Sequence, residues 1–442
     1  MMIDDRRYIL RWLGGMLMLL LLTACSGSSS EGGDEPVPNG NGSIPTSSKP
    51  VLKIYIFPPD RPAITRADVL GNVNASGEEN KIHSLHVWVF ERKEGDLGNS
   101  KLVGYVSLGN FTLSDSGNGE VTMEITDEFA KHIMTYAQRP RVDVYVAANV
   151  TSCGISFEGL TNKDKKDEED EEDEEDEEDE EDDCTTESQL DELFIGSSYF
   201  GVTSPVQGVP GDGLPMSGVL KDQPIAGTSP VFRVGTSSKL ENVQLVRSVS
   251  KMRFVFCKSS TNNDDVAVNS FSLNGSVLPK EEYLFLTDDY SKVTPKWRIN
   301  TSSGYENDED EMTLVSFSSG RSVETNDDPY SYSYDGVMSG QEYETRINKG
   351  ITQGKLSDLG TFYLRESDKA LSGTIKYVIT PYGTTPQPEK TTSYSMKNAG
   401  DFSRNHTWIV YGYFVTSGDL QLNVVELKDW VSSENPGEIY NW

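Results

Sequence analysis

The sequence predicts an all-β protein: two tandem β-sandwich domains with few short helices, preceded by a lipoprotein signal peptide and a flexible tether. Three observations lead there. Short apolar segments, most of them too short for helices, recur along the chain between turn residues. The 39 Gly and 20 Pro among 442 residues punctuate it too often for a helical bundle. A hydrophobic fraction of 36% with 10% aromatics is enough for packed cores and too much for a wholly disordered chain.

The N-terminus comes first. Arg6, Arg7 and Arg11 precede the apolar stretch Leu13 to Leu22, which leads into Thr23-Ala24-Cys25. That core is too short for a membrane span, which needs about 20 apolar residues, and reads as a signal peptide over residues 1–24. Leu22-Thr23-Ala24-Cys25 is similar to a bacterial lipobox, which makes Cys25 the candidate lipidation site. Residues 25–50 are rich in Ser, Gly and Pro and read as the tether.

Val51 to Phe57 is the first strand, with Val51, Ile54 and Ile56 as its apolar residues and Pro58-Pro59 as its stop. Residues 51–66 hold this strand and a polar loop with Arg61 and Arg66; Arg61 precedes Pro62, a bond that trypsin-like enzymes tolerate poorly, whereas Arg66 precedes Ala67. In Ile82 to Phe90 both alternating sets are apolar or aromatic, which predicts burial on two faces. Further strands are expected at 102–108, 119–125, 142–148, 232–234, 242–246 and 252–257. Helices are expected at Asp127 to Gln138 and near Gln189 to Phe194. The first sandwich is assigned residues 67–260 and the second 261–442. The latter holds strands at 266–273, 283–286, 312–317, 360–364, 374–380, 393–396, 407–415 and 420–427.

The net charge of −31 argues against nucleic acid or an anionic membrane surface as a partner of the folded part. It is concentrated locally. Asp167 through Asp183 are 17 consecutive acidic residues, within an insert at 163–187 whose self-repulsion prevents packing. Cys153 and Cys184 flank it, so a disulfide between them could staple its base; a buried free thiol is the other reading. His83 and His86, three apart on a strand, fall on opposite faces and do not converge on a metal. No metal, dinucleotide, phosphate-loop or nucleophile motif stands in a suitable context, so no cofactor, no metal and no enzyme activity are expected.

Several segments, in order, resemble the fimbrillins, the pilins of Bacteroidota type V pili. These are the lipobox, Val51 to Phe57, Thr65-Arg66-Ala67, Val144-Tyr145-Val146-Ala147-Ala148-Asn149, Leu214-Pro215-Met216-Ser217-Gly218, Leu245 to Met252, Arg404-Asn405-His406 and Asp429-Trp430 to Trp442. The acidic insert and the polar tail from Val431 depart from that pattern. The resemblance implies transthyretin-like sandwiches and a surface-exposed outer-membrane lipoprotein precursor, cut after Arg66 by an Arg-specific surface protease. It further implies that the first strand is a plug later replaced by the C-terminal strand of another subunit, giving a head-to-tail homopolymer that supports adhesion to host or bacterial ligands. Leu420, Leu422, Val424, Trp430, Ile439 and Trp442 are the expected donor residues. A pilus tip adhesin and a lipid-retaining anchor are the alternative roles.

Overall fold

A computed structural model describes residues 49–57, 78–93, 96–111, 119–135, 139–155, 157, 160, 187–196, 199, 206–239, 241–286, 299–306, 311–334, 336, 338, 340–395, 402–415, 420–427 and 439–441. Two β-sandwiches fill it, with short helices between strands.

The first is built from β1 (Val51–Phe57), β2 (Leu85–Lys93), β3 (Asp96–Leu108), β4 (Gly119–Glu124), β5 (Arg141–Ala148), β8 (Met216–Thr228), β9 (Val231–Val234), β10 (Asn242–Gln244) and β11 (Val246–Arg247), while β6 (Phe194–Gly196) and β7 (Val206–Gln207), between β5 and β8 in sequence, pair with strands from the second half of the chain. Helix α1 (Asp127–Thr135) follows β4 and α2 (Glu187–Asp191) precedes β6. Nine of these strands form one sheet in the order β10-β1-β9-β8-β5-β2-β3, with β4 on β1 and β11 on β8. Strand β8 belongs to both layers of the sandwich. Its Met216–Leu220 half pairs with β5 and its Ile225–Thr228 half with β9. Asp222, at φ 57°, and Pro224 lie between the halves, where the ladder to β5 also shifts register. Leu52, Ile54, Val121 and Phe232 from one layer meet Val87, Val89, Val144 and Val146 from the other in a single core.

The second sandwich contains β12 (Ser250–Ser259), β13 (Asp265–Asn274), β14 (Glu281–Tyr283), β15 (Glu311–Ser322), β16 (Glu324–Asn326), β17 (Ser357–Leu364), β18 (Ser372–Thr380), β19 (Lys390–Ser395), β20 (Thr407–Phe414), β21 (Leu420–Leu427) and β22 (Ile439–Asn441), with helix α3 at Gly340–Thr352. A seven-stranded sheet runs β22-β21-β20-β12-β17-β7 with β16 on β12, and a four-stranded sheet runs β15-β13-β18-β19. Phe254 stacks on Phe271 at 4.1 Å between the ring centroids, in a core that also takes Phe362, Trp408, Val410 and Val424 from one sheet and Ile375 and Tyr394 from the other. Tyr343 and Ile347 of α3 cover the outer face of the larger sheet against Val255, Ile409, Tyr411 and Val425. Every residue of β20 is buried as a result.

Three features differ from expectation. Strand β12, assigned by sequence to the first domain, pairs with β17 and β20, so the first strand of the second sandwich begins at Ser250, not after residue 260. Its Met252, Phe254 and Phe256 find their core there. Helix α3 was not anticipated, because only Tyr343, Ile347 and Ile351 mark its face amid polar residues and glycines. Glu187, expected within the solvated insert, is buried and ion-paired with Lys221 at 2.6 Å. The β2 expectation holds: Leu85, Val87 and Val89 enter the first core, while Trp88 and Phe90 enter a second cluster with Tyr145, Leu284, Phe285 and Tyr363 that joins the two sandwiches.

Candidate functional site

Alternation along β1 decides which residues fill the core. Leu52, Ile54 and Ile56 face inward and are wholly buried, whereas Lys53 and Tyr55 lie half-buried on the other face. Of the three residues expected to form the plug, Ile54 and Ile56 lie in the core. Val51 falls on the opposite face, and Leu52 takes the third position.

Both edges of this strand are paired. Antiparallel β4 runs alongside from Val51 opposite Glu124 to Ile56 opposite Gly119. Parallel β9 takes the other edge at Val51 to Lys53, and parallel β10 continues it at Tyr55 to Phe57. The ends are tied as well: the Val51 amide donates to the Pro230 carbonyl at 2.8 Å and the Leu245 amide donates to the Phe57 carbonyl at 2.9 Å. On the outer face Lys53 and Tyr55 both donate to the Glu120 carboxylate, at 2.6 and 2.7 Å, and these bonds hold that carboxyl below its ordinary pKa.

Strand β1 is thus an interior strand contributed by a segment at the edge of the described chain. Withdrawing it would open ladders on β4, β9 and β10 and uncover the pocket of three aliphatic side chains. At ~1.5–3 kcal/mol per side chain, their burial is worth roughly 5–9 kcal/mol gross. Unpaired ladder edges and uncovered apolar surface are both costly in water.

The donor expectation needs correction. All eight residues of β21 pair antiparallel with β20. Leu422 and Val424 lie in the second core with Phe254 and Trp408, and Leu420 packs against it. These three are therefore structural residues of their own sandwich, because the alternation that suggested a plug fills a core already at hand. Beyond them, β22 pairs its Ile439, Tyr440 and Asn441 with Val425, Val424 and Asn423 of β21.

Two motif residues tie loops of the first sandwich to one another and to the second sandwich. Asn149, at φ 56°, accepts from the His83 amide at 2.7 Å and the Ser84 amide at 3.3 Å, and donates to the carbonyls of Lys81 at 2.7 Å and Leu214 at 3.0 Å. Gly213, at φ 86°, leaves room for it, since a Cβ there would stand 2.3 Å from its amide nitrogen. Arg247 is buried between sandwiches, donating to the Glu79 carbonyl, to Asn80 and, at 3.0 Å, to Asn405. Lys251 meets Glu79 at 3.0 Å, and the Tyr363 hydroxyl donates to the same carboxylate.

Cys25, Arg66, Ala67, Cys184, Trp430 and Trp442 lie outside the described residues. Cys153 is buried. His86 packs against Phe157 at 4.4 Å between centroids and sits 3.0 Å from the Tyr105 hydroxyl, with burial pushing its pKa down. Among the described residues no three His, Cys, Asp or Glu side chains are grouped to hold a metal.

No family model matches the sequence, and no curated protein matches it. Solved structures do. A candidate cell adhesion protein from Parabacteroides distasonis is 13% identical with a TM-score of 0.44, over 86% of this chain and 98% of that one. Another from Bacteroides eggerthii is 13% identical with a TM-score of 0.39, over 89% and 95%. The tip fimbrial protein Mfa3 from Porphyromonas gingivalis, with a C-terminal truncation, is 11% identical with a TM-score of 0.41, over 87% and 100%.

Proposed function

We propose that this chain is a structural subunit of a cell-surface pilus, exported as a lipoprotein on Cys25, cleaved after Arg66 and polymerised by β-strand exchange. One observation carries the reading: β1 fills an interior slot with both edges paired. Only residues 58–77, which contain Arg66, separate it from the next described segment. Cutting there disconnects the strand from the sandwich that it completes.

The donor in this reading is the chain beyond β21, residues 428–442, with Trp430, Ile439 and Trp442 as its apolar residues. The acceptor belongs to the first sandwich and the donor segment follows the last long strand of the second, so the contact is head-to-tail and grows into a filament. The partners are other copies or related subunits and an Arg-specific surface protease. The similarity to fimbrial and cell-adhesion proteins agrees with this reading without carrying it. The pairing of β22 with its own β21 favours a second role, a tip adhesin whose tail stays at home.

Limited digestion of the folded precursor with an Arg-specific protease tests the proposal. The expected product begins at Ala67 and sediments as polymers, while the Arg66→Ala variant remains monomeric and Arg61→Ala behaves as the parent. Polymers that form equally well from uncleaved Arg66→Ala would contradict it.

A further inference from the structure

A surface cleft of about 590 Å³ beside the C-terminal end of α3 is lined by Ser331, Tyr332, Arg346, Lys349, Gln353 and Lys355. Three of the six are cations, and no acid lines it. Arg346 donates to the Ser331 carbonyl at 3.0 Å, and none of the three cations pairs with a carboxylate among the described residues. Buried Glu344 on the same helix stands 3.5 Å from Lys251 and 3.9 Å from Arg253, and Asp358 is 2.6 Å from Arg253. A cationic hollow without counter-charge is conspicuous in a chain of net charge −31.

The complementary polyanion is in the same sequence. Residues 167–183 are acidic without exception, and the neighbouring Lys163, Lys165 and Lys166 offset only a small part of that charge. The run is tethered at fixed points of the first sandwich: the Leu160 carbonyl accepts from the Trp88 indole at 2.7 Å, and Glu187 pairs with Lys221. The 26 residues between those points, at ~3.3–3.6 Å each, give an out-and-back reach of roughly 40 Å.

We propose that the cleft docks the acidic run of a second copy of this chain. The inference rests on the head-to-tail reading only in that a filament brings the copies together, at an effective concentration far above that of free subunits. A repeated carboxylate needs no folded shape to satisfy three clustered cations. Such a contact strengthens the joint in low salt and weakens as salt screens it.

The test uses the unprocessed full-length chain and a fluorescent synthetic peptide copying residues 167–183, read by anisotropy. Saturable binding is expected, weakening steeply between about 50 and 300 mM salt. The double variant Lys349→Glu with Lys355→Glu should lose roughly tenfold or more in affinity, and the milder Lys349→Gln with Lys355→Gln should shift the same way if the reversal disturbs folding. Absent binding, or binding indifferent to both variants, overturns the proposal. So does a sulfated heparin oligosaccharide that binds the cleft where the peptide does not. Because the precursor is uncleaved, the assay does not depend on strand exchange. Polymers formed without peptide binding would sink this inference alone, while peptide binding without polymers would sink the filament reading.

Discussion

Asn149 explains why one short polar residue belongs at the end of an apolar strand. Its side chain satisfies two amides and two carbonyls while its backbone occupies the left-handed region, where Asn is better tolerated than most residues. Asn149→Ala should cost about 2–4 kcal/mol in urea unfolding, since buried partners lose their bonds together. Glu282 makes a different prediction. It is fully buried, one carboxylate oxygen lacks a partner, and the other accepts from the Glu366 amide at 2.8 Å. Burial pushes its pKa up to about 8, beside the charges of Arg404, Glu366 and Arg365. The folded state then keeps a proton that the unfolded state has released. Its contribution is full below the ordinary carboxyl range and is lost as pH rises through about 8. Urea midpoints measured from pH 5 to 8.5 should fall for the parent and fall less for Glu282→Gln; equal slopes would remove Glu282 from the account.

At the scale of elements, the two strands with most functional weight separate cleanly. Replacing a buried residue of β21 strikes the second sandwich itself: Val424→Ala should destabilise the monomer by about 2–3 kcal/mol. Removing residues 428–442 should leave the monomer's unfolding nearly unchanged while abolishing polymer growth after cleavage, as sedimentation would show. A truncation that unfolds the monomer would make the tail structural and not a donor. Strand positions were largely legible because each needs only local alternation between turn residues. Strand β8 was not, since Gly218, Pro224 and Gly227 interrupt the apolar pattern of a strand that crosses between layers. Which face of β1 points inward was missed for a related reason, as hydropathy alone ranks Val51 with Ile54, whereas the pleat groups Leu52 with it.

For the whole molecule, the sequence supported two sandwiches and a plug but not the joint between them. Arg247 and Lys251 from one segment, Glu79 from a second and Asn405 from a third lock one sandwich to the other. No spacing rule joins these segments, although Arg247, Lys251 and Asn405 all lie in the motifs quoted from the sequence. The membership of β12 is not legible in the sequence, because it follows the first sandwich without a polar linker and only its partners β17 and β20 assign it. The joint also places Glu79 in a buried contact, and in the proposed reading a chain beginning at Ala67 keeps that anchor. The claim on which the rest depends is that β1 can leave and its slot can be refilled. Hydrogen exchange across residues 119–124, 231–234 and 242–244 measures this directly, before cleavage, after cleavage after Arg66, and in the resulting polymer. The account predicts slow exchange, then fast, then slow again; protection that never changes would mean that β1 is a permanent strand of its sheet.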